Sequence, residues 1–568
     1  MRMGPKLHPK RSAPCQERPT LKIENRSDKF GRRFLQPVVF LMNRILVSAV
    51  ITIVSAASLT AQQTGHDHAP GAHSTERLGK VSFANSGSPK AQAPFLRGLA
   101  LLHSFEYEDA GAAFRDAQKA DPAFTLAYWG EALTYAKLLW GLDDPAAARA
   151  ALARLAPTPE ARVAKARTER ERAYGSAVEA LYQDADPPTR VRGYIDQLRA
   201  LTTRYPKDLE ARALLAIALQ MGPGLQGLSA EQRSERTNEA ITLAQSIFDA
   251  QPDHPGGAHY LIHATDHPKL AARGLKAALA YAQIAPDAEH AIHMPSHIFV
   301  QLGRWDDVAS SNERAWAASR AWVKARGVAP TELSFHALWW LQHAYLQQGR
   351  YRAASALIDT ARAVLAEVDW TRTDAIDARY VVNQLQFSYA HESGDWNVFN
   401  HQKAATVPPP ANATASRAQS FAFYDDFGIA FGAALQGDTI AMNARSARLT
   451  GTQPRGVGAR ALIAALDAKR RGDAAQYIAS LQAAAQAEAT VPHYGPPNLV
   501  PANELLGYAL LETGRPAEAI AAFEKSLELM PNRSKSLRGL ARAHSATGNA
   551  DAAARAEAQL QANWQRKD

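Results

Sequence analysis

The sequences GLALLHSFEYEDAGAAFRDAQKADP at residues 98–122 and GYALLETGRPAEAIAAFEKSLELMP at residues 507–531 share one pattern of small, aromatic and proline residues. In both, a glycine is followed at spacings of 12, 4, 3 and 5 by an alanine, a phenylalanine, a small residue and a proline. Small residues let two helices pack closely, an aromatic ring fills the space between them, and proline ends the second helix. Each stretch is therefore predicted to fold as an antiparallel helix pair.

Further glycine-centred turns repeat this pattern along the chain. They lie at Gly303-Arg304-Trp305, Gly349-Arg350-Tyr351, Gly394-Asp395-Trp396, Gly437-Asp438 and Gly548-Asn549. The set resembles the tetratricopeptide repeat, a helix–turn–helix unit of about 34 residues whose copies stack side by side. The resemblance implies an all-α solenoid of antiparallel helix pairs with irregular inserts.

Four other segments are similar to a set that recurs in a family of exported bacterial tetratricopeptide-repeat proteins with an HMPSHIF-type histidine motif. They are Tyr128-Trp129-Gly130-Glu131, His254-Pro255-Gly256, the HMPSHIF sequence at residues 293–299, and Tyr494-Gly495-Pro496-Pro497. This resemblance implies the architecture and export, and it implies no particular activity.

Composition and charge exclude several classes of protein. The chain has 568 residues, of which 46% are hydrophobic and 21% are charged, as in an ordinary packed protein rather than a disordered or multi-span membrane protein. A single cysteine, Cys15, excludes an intramolecular disulfide framework and a Cys-ligated zinc finger. Residues 1–61 carry +8 of the net charge of +9, so the body lacks the basic excess that nucleic-acid binding needs.

The N-terminal region predicts export. Residues 42–61 combine a short positive start, an apolar run at 45–54 and small residues before Gln62, which is the order of a secretory signal peptide. Residues 1–41 are then expected to be a non-native upstream extension. The alternatives are an uncleaved anchor at 38–58 and a twin-arginine signal at Arg32-Arg33. The expected location is the periplasm or cell envelope, without a membrane span in the mature chain.

The rest of the chain is predicted to divide into a linker and four groups of helices. Residues 62–90 are rich in His, Gly and Ser, which predicts a flexible tether, and its three histidines at 66–73 offer weak metal chelation as an alternative. The helical divisions are N-terminal repeats at 91–220, central repeats at 221–365, degenerate repeats at 366–490 and C-terminal repeats at 491–568.

Residues 254–297 contain seven of the 18 histidines of the chain. His259 and His263 are spaced i,i+4, so both rings lie on one face of a helix, and His293 and His297 repeat that spacing 34 residues later. His290 precedes His293 by three residues and shares its face. Consecutive repeats should therefore bring two histidine pairs together.

Two functions are open for this surface. In the resembling repeats the first helix of each unit lines a concave groove, and the corresponding residues here are His259, His263, Asp266, His290, His293, His297, His336 and Trp340. The leading prediction is a groove that binds a protein, a peptide or another ligand. The alternative is a divalent metal such as Zn, Cu, Ni or Fe held by His259, His263, His293 and His297, either in a metal-binding protein or in a metal-dependent enzyme with Glu289 or Asp266 as the base. Packing of the histidines in a polar core is the third possibility.

Catalytic motifs give little support to an enzyme. The helix segment His259-Tyr260-Leu261-Ile262-His263 has the histidine spacing of a zinc protease and lacks its glutamate. The GPGLQG sequence at 222–227 follows a helical run rather than a strand, which excludes a dinucleotide site. The chain contains neither a G-x-S-x-G elbow nor a P-loop. No catalytic residue is predicted.

Overall fold

The structure is a computed structural model that describes residues 76–568 except 138, 140–141, 367–374, 405–414, 492–493 and 498. Within these residues the chain forms 25 α-helices and one pair of two-residue strands, so the prediction of an all-α helical-repeat solenoid is confirmed. The predicted extension at 1–41, the signal peptide at 42–61 and most of the tether lie outside the described residues.

The N-terminal helices are separated by short turns and by the strand pair, β1 (Ala136–Lys137) and β2 (Leu142–Asp143). Their bounds are α1 Pro89–His103, α2 Tyr107–Ala120, α3 Thr125–Thr134, α4 Pro145–Ala153, α5 Pro159–Ala164, α6 Glu169–Leu181, α7 Pro187–Arg204 and α8 Leu209–Ala218.

The central helices include two short ones, α12 and α13, and are accompanied by 3-10 turns at Gly222–Leu225 and Pro330–Glu332. Their bounds are α9 Ala230–Ala250, α10 Pro255–Thr265, α11 Ala271–Ile284, α12 Glu289–His293, α13 Pro295–Gln301, α14 Trp305–Arg326, α15 Phe335–Gln347 and α16 Tyr351–Ala366.

The C-terminal helices complete the repeat array. Their bounds are α17 Ala375–Ser393, α18 Ala415–Leu435, α19 Thr439–Ser446, α20 Pro454–Arg470, α21 Ala474–Glu488, α22 Ala502–Glu512, α23 Pro516–Leu529, α24 Ser534–Ala546 and α25 Ala550–Asn563. No helix in the described part of the chain is both long enough and apolar enough to cross a bilayer.

The predicted glycine–phenylalanine contacts hold the helix pairs together. A Cβ atom at Gly98 would lie 3.0 Å from the ring of Phe114, and one at Gly507 would lie 2.7 Å from the ring of Phe523. The next helix supplies a second glycine, Gly539, whose Cβ would lie 2.2 Å from Phe523. Each ring is thus enclosed between glycines, which explains why those positions have no side chain.

The predicted tether is shorter than expected at its C-terminal end. Phe83 is buried against Trp129 and Tyr174, and the Ser86 backbone N–H donates to Glu171 Oε1 at 2.7 Å. The Lys80 N–H donates to the Asp253 carbonyl at 2.9 Å. Residues 76–88 therefore lie along the folded body, because their few apolar side chains are buried despite the Ser/Gly-rich composition around them.

The last repeats return to contact the central ones. Trp305 Nε1 donates to the Asn532 carbonyl at 2.9 Å, and Asn532 Nδ2 donates to the Gly303 carbonyl at 2.7 Å. One repeat further along, the Ser534 N–H donates to Gln347 Oε1 at 3.0 Å. The C-terminal repeats therefore pack against the turn at Gly303 and against the end of α15 in the central repeats.

A buried ionic network strengthens this closure. Arg533 is 1% exposed and donates through Nε to Glu504 Oε2 at 2.7 Å, and its Nη2 also donates to Glu392 on α17. Ser536 Oγ donates to Glu504 Oε2 at 2.6 Å. The carboxylates hold the pKa of Arg533 above its usual range despite burial, which alone would lower it. Helices α17, α22 and α24 are thereby tied together.

The main apolar clusters of the described residues are continuous over many helices. One spans residues 78–354 and another spans residues 387–543. The predicted division at residue 220 falls inside the first cluster. Such continuity is expected of a solenoid, since each repeat buries its apolar face against the next repeat.

Candidate functional site

The first helices of three successive central units bring the predicted histidines together. Helix α10 carries His259 and His263, helices α12 and α13 carry His290, His293 and His297, and helix α15 carries His336 with Trp340. These histidines form two groups of three. The first trio is His259, His263 and His290, and the second trio is His293, His297 and His336.

A proline interrupts the helix that carries the HMPSH sequence. Pro295 has no N–H to donate to the turn before it, so α12 ends at His293 and α13 begins at Pro295. Met294 between them keeps helical dihedral angles, with φ −54° and ψ −34°. The axis therefore continues through the break, and His293 and His297 stay on the same face.

The first trio is compact and covered by an aromatic ring. One ring nitrogen from each histidine lies within 4.8 Å of the others. His290 Nε2 lies 3.2 Å from His259 Nε2, and the buried Nε2 of His263 has no hydrogen-bond partner. The ring of Phe105, from the corner between α1 and α2, packs 4.4 Å from the His259 ring and excludes water from that side.

The second trio is also compact. Its three ligand nitrogens also lie within 4.8 Å of one another, and His293 Nε2 lies 3.2 Å from His297 Nε2. The indole of Trp340 packs 4.3 Å from the His297 ring. His293 and His297 are buried, whereas His336 is exposed on the groove side.

Acceptor groups behind the rings fix three of the tautomers. His259 Nδ1 donates to the His103 carbonyl at 2.6 Å, and His297 Nδ1 donates to Asp266 Oδ2 at 2.7 Å. A carbonyl and a carboxylate only accept, so both Nδ1 atoms carry a proton, and in a neutral ring the Nε2 atom then carries a lone pair. Such partners behind a ring are typical of histidines that bind metals.

The third tautomer follows from the orientation of an amide. Asn312 Nδ2 donates to the Val308 carbonyl at 2.7 Å, so its Oδ1 faces His293 Nδ1 at 2.6 Å and accepts from it. The Nε2 atom of His293 therefore also carries a lone pair.

Burial keeps these rings neutral. Loss of solvent is the main reason that the pKa of His259 falls to about 3; the hydrogen bond to the His103 carbonyl opposes this fall, and the His103 and His297 rings add to it. For the same main reason the pKa values of His263, His290 and His293 lie well below the usual range, and neighbouring imidazoles lower them further. Neutral imidazoles are the form that binds a metal or accepts a hydrogen bond.

Asp266 differs from its predicted groove-facing position. It is buried behind His297, and its other oxygen, Oδ1, accepts from Gln301 Nε2 at 2.8 Å. Both carboxylate oxygens are therefore occupied, and Asp266 positions the His297 ring rather than facing a ligand.

The predicted set of His259, His263, His293 and His297 is divided between the two trios. The grouping rests on the ring nitrogens, because the ring centres of His263 and His297 lie 6.0 Å apart across the division, whereas those of His263 and His290 lie 6.4 Å apart within the first trio. His290 and His336 complete the groups instead, because the stacking of α10, α12 and α15 decides which rings converge.

Two carboxyl groups lie beside the first trio. Burial raises the pKa of Glu106 to about 8, with the nearby Glu289 raising it further, and burial raises the pKa of Glu289 to about 7. Glu106 Oε1 accepts from the His290 backbone N–H at 3.3 Å. Near neutral pH Glu106 is therefore mostly protonated and Glu289 is partly protonated, which reduces the negative charge beside the cluster.

A third histidine group, missed by the sequence analysis, is structural. His103 Nε2 donates to Glu210 Oε2 at 2.6 Å, and His254 Nε2 donates to Glu210 Oε1 at 3.1 Å. The opposite ring nitrogens accept from the Tyr260 hydroxyl and the Gly257 N–H. Burial alone would raise the pKa of Glu210, yet the two histidines lower it to about 2. Every nitrogen here has a protein partner, so none is left for a ligand.

A cavity of about 230 Å³ opens beside the second trio. Its wall consists of side chains from α15, α18, α20 and α21 and of the loop that precedes α22. The lining includes His336, Trp339, Trp340, Tyr424, Arg455, Gly458, Glu488, Tyr494, Gly495 and Pro497. Of these, the sequence analysis placed only His336 and Trp340 at the groove.

The Tyr494-Gly495-Pro496-Pro497 segment forms one side of this cavity. A Cβ atom at Gly495 would lie 2.2 Å from the Trp340 ring, and Gly495 has a φ of +143°. Both facts require glycine, since a side chain would displace the loop from Trp340. The segment thus connects the C-terminal repeats to the indole that covers the second trio.

Comparison with known proteins supports the repeat type. Residues 510–563 match the tetratricopeptide repeat family. No curated protein matches the chain at a significant level.

Several solved helical structures are similar over most of the chain. The APC/C hetero-tetramer Cut9-Hcn1 is 11% identical with a TM-score of 0.34, covering 85% of this chain and 75% of that chain. The human IFIT1 dimer with PPP-AAAA is 11% identical with a TM-score of 0.35, covering 84% and 91%. Yeast Tom70 is 11% identical with a TM-score of 0.29, covering 81% and 89%.

Since all three TM-scores are below 0.5, the fold assignment rests on the helix order and packing of this chain. Those features define a helical-repeat solenoid, within which residues 510–563 match the tetratricopeptide repeat.

Proposed function

We propose that this protein is an exported scaffold that binds a short segment of a protein or peptide in the cavity beside the second trio. The observation that carries the proposal is the aromatic wall formed by Trp339, Trp340, Tyr424 and Tyr494. Binding sites are concave and mostly apolar, with a few polar groups that fix the orientation of the ligand. This cavity has that composition.

The size of the cavity limits the ligand. At about 230 Å³ it lies just below the range of about 300–1,000 Å³ that is common for binding pockets. A chain end or a few residues of an extended segment fit such a volume, and a folded domain does not. The partner would therefore insert a short piece of its chain.

Polar groups on the wall indicate the chemistry of that segment. The Arg455 guanidinium lies at the rim, 5.5 Å from the centre of the Tyr424 ring, and a guanidinium pairs well with a carboxylate. The indole N–H groups of Trp339 and Trp340 have no acceptor within the described residues. A segment with an acidic group and free carbonyl oxygens would satisfy these donors.

Selection from a displayed random-peptide library on the full chain tests this proposal. We expect enrichment of peptides that combine an acidic group with an aromatic or aliphatic side chain. Arg455→Ala should weaken a selected peptide about tenfold, as loss of one charge-assisted hydrogen bond does. Gly458→Leu should also weaken it, because the new side chain would occupy the cavity.

The matched control is Arg515→Ala, which removes an exposed arginine paired with Glu518 far from the cavity. Its affinity should equal that of the unchanged chain. Selected peptides that bind the Gly458→Leu variant with unchanged affinity would show that the cavity is not the binding site.

Export is the second part of the proposal. It is supported by the positive start, apolar run and small-residue end of residues 42–61. Expression of the full chain in a bacterium should yield a periplasmic product whose N-terminus is Gln62. A product that remains in the cytoplasm with residues 42–61 intact would contradict this part and leave the binding proposal standing.

A further inference from the structure

We propose that the first and second trios each bind one divalent transition-metal ion, with zinc as the probe. The inference goes beyond the peptide cavity, and its residues are His259, His263 and His290 in one site and His293, His297 and His336 in the other. Its main support is the close approach of ring nitrogens on histidines whose opposite nitrogens already donate to protein acceptors.

The second trio presents this relation most clearly. Because Asn312 and Asp266 accept from the two Nδ1 atoms, the Nε2 atoms of His293 and His297 both carry lone pairs when the rings are neutral, and they face each other at 3.2 Å. Two lone pairs at this separation repel. A cation is therefore needed between them, and it can be a proton or a metal ion.

The distance itself fits a shared metal ion. Two imidazole nitrogens bound to one tetrahedral ion at about 2.0–2.1 Å lie about 3.3–3.4 Å apart. The observed 3.2 Å between His293 Nε2 and His297 Nε2 is close to that value.

The third histidine favours a metal over a proton. A shared proton joins two acceptors, whereas here a third ring nitrogen, from His336, lies within 4.8 Å of the other two. Three neutral imidazoles are a ligand set for zinc that leaves one position open. Since His336 is exposed to the groove, the open position would face the peptide cavity.

An independent observation supports the site in the first trio. His263 Nε2 is buried and has no hydrogen-bond partner, although an unsatisfied buried polar atom is costly. The fixed tautomer of His259 directs a lone pair to the same place, 3.2 Å from His290 Nε2. An ion at this point would satisfy both His263 and His259.

The buried group of His103, Glu210 and His254 differs from the two trios in the partners of its ring nitrogens. There each ring nitrogen has a protein partner, and the one carboxylate balances both rings. The two trios contain no carboxylate of their own. Histidine packing alone therefore accounts for the third group, whereas in the first trio the buried His263 Nε2 has no partner among the described residues.

Metal stoichiometry in the full chain tests the proposal. His66, His68 and His73 are first replaced by alanine, because that segment could bind metal separately, and no affinity tag is used. We expect two zinc ions per chain after equilibrium dialysis against buffered zinc. Cobalt substitution should give the visible absorption of a tetrahedral nitrogen-ligated ion.

Single substitutions assign the two sites. His263→Ala should retain the ion of the second trio and weaken zinc binding at the first trio by more than 100-fold. His336→Ala should retain the ion of the first trio and weaken zinc binding at the second trio by the same factor. This loss exceeds the 10–100-fold typical of losing a hydrogen-bond partner behind a ligand. His336 is exposed and His263 Nε2 makes no hydrogen bond, so both variants should fold. The buried control His343→Phe should retain both ions.

Three results would overturn the proposal. Absence of bound metal, with nitrogen NMR showing a protonated His297 ring, would mean that a proton occupies the second trio. Retention of both ions in His263→Ala and His336→Ala would place the metal elsewhere. Loss of the same single ion in both variants would mean that the histidines form one metal site rather than two. Failure of the peptide experiments would leave this result unaffected, since Arg455 belongs to neither trio.

Discussion

The chemistry of the histidine cluster is set at the scale of single residues by the groups behind the rings. The His103 carbonyl, Asn312 and Asp266 each accept from an Nδ1 atom at 2.6–2.7 Å and so direct three Nε2 lone pairs into the cluster. Such partners are buried and touch no ligand. They position the rings, and their removal should affect ligand binding through the rings alone.

Asp266→Ala tests this positioning. Loss of the carboxylate frees the His297 ring to rotate and lowers the basicity of its Nε2, so zinc affinity of the second trio should fall about 10–100-fold. Competition with a chromophoric chelator measures the change. Asp307→Ala, which removes only an exposed partner of Arg304, is the control. Equal affinities in the two variants would contradict the role of Asp266.

His343 provides a pH-dependent prediction outside the two trios. Burial, with Arg533 as a lesser cause, lowers its pKa in the folded state to about 4, against about 6.5 in the unfolded chain. The unfolded chain therefore takes up a proton first as pH falls. The free energy of unfolding should decrease from pH 6.5 toward pH 4, by about 3 kcal/mol at most.

Urea unfolding at pH 7 and pH 4.5 measures this effect. His343→Phe keeps the packing against Trp305 and removes the titrating group, so its stability should decrease less over this interval than that of the unchanged chain. Parallel decreases in both proteins would show that His343 does not contribute.

At the scale of elements, the helix pairs depend on close contacts between glycine and phenylalanine. Phe523 contacts Gly507 on its own pair and Gly539 on the following helix, so one ring joins three helices. This arrangement recurs at Phe114 with Gly98 and Gly130. The spacing of these residues carried the correct prediction of the repeats because close helix packing leaves no alternative to glycine there.

Gly539→Ala should destabilise the C-terminal repeats. The new Cβ would lie 2.2 Å from the Phe523 ring, which must move, at a cost of about 1–3 kcal/mol. Gly458→Ala is the control, since its Cβ would meet Ala487 at 3.5 Å and the Ala484 carbonyl oxygen at 3.9 Å, both ordinary contacts, and an alanine favours the helix. Thermal unfolding should separate the two variants, and equal stabilities would contradict the packing account.

At the scale of the whole molecule, the return of the C-terminal repeats turns an open groove into a partly covered cavity. Asn532 lies more than 200 residues along the chain from its partner Gly303. Arg533 lies more than 100 residues from its partner Glu392. No spacing in the sequence reports such contacts. The cavity and the covering of Trp340 by Gly495 were therefore beyond prediction.

The histidine site was predictable in part for the same reason. The i,i+4 spacing and the 34-residue repeat placed His259, His263, His293 and His297 on adjacent helices. Which rings converge depends on the rotation and offset of stacked helices, which small side-chain contacts determine. The sequence also gives no sign of the acceptor Asn312, which lies on α14 and is not part of the histidine motifs.

Glu504→Gln tests the closure of the molecule. It leaves the buried Arg533 with one fewer charged partner, so the free energy of unfolding should fall by about 3–5 kcal/mol. The cavity should become more accessible to protease at the loop before α22. The exposed Glu518→Gln variant should leave both measurements unchanged. A Glu504→Gln protein as stable and as protected as the control would contradict the closure.

The most direct test of the central claim is anomalous diffraction at the zinc edge from crystals of the full chain without the histidines at 66, 68 and 73. The account predicts two anomalous peaks, one bound by His259, His263 and His290 and the other by His293, His297 and His336. Anomalous peaks only on the surface, or a single peak between His263 and His297, would contradict it.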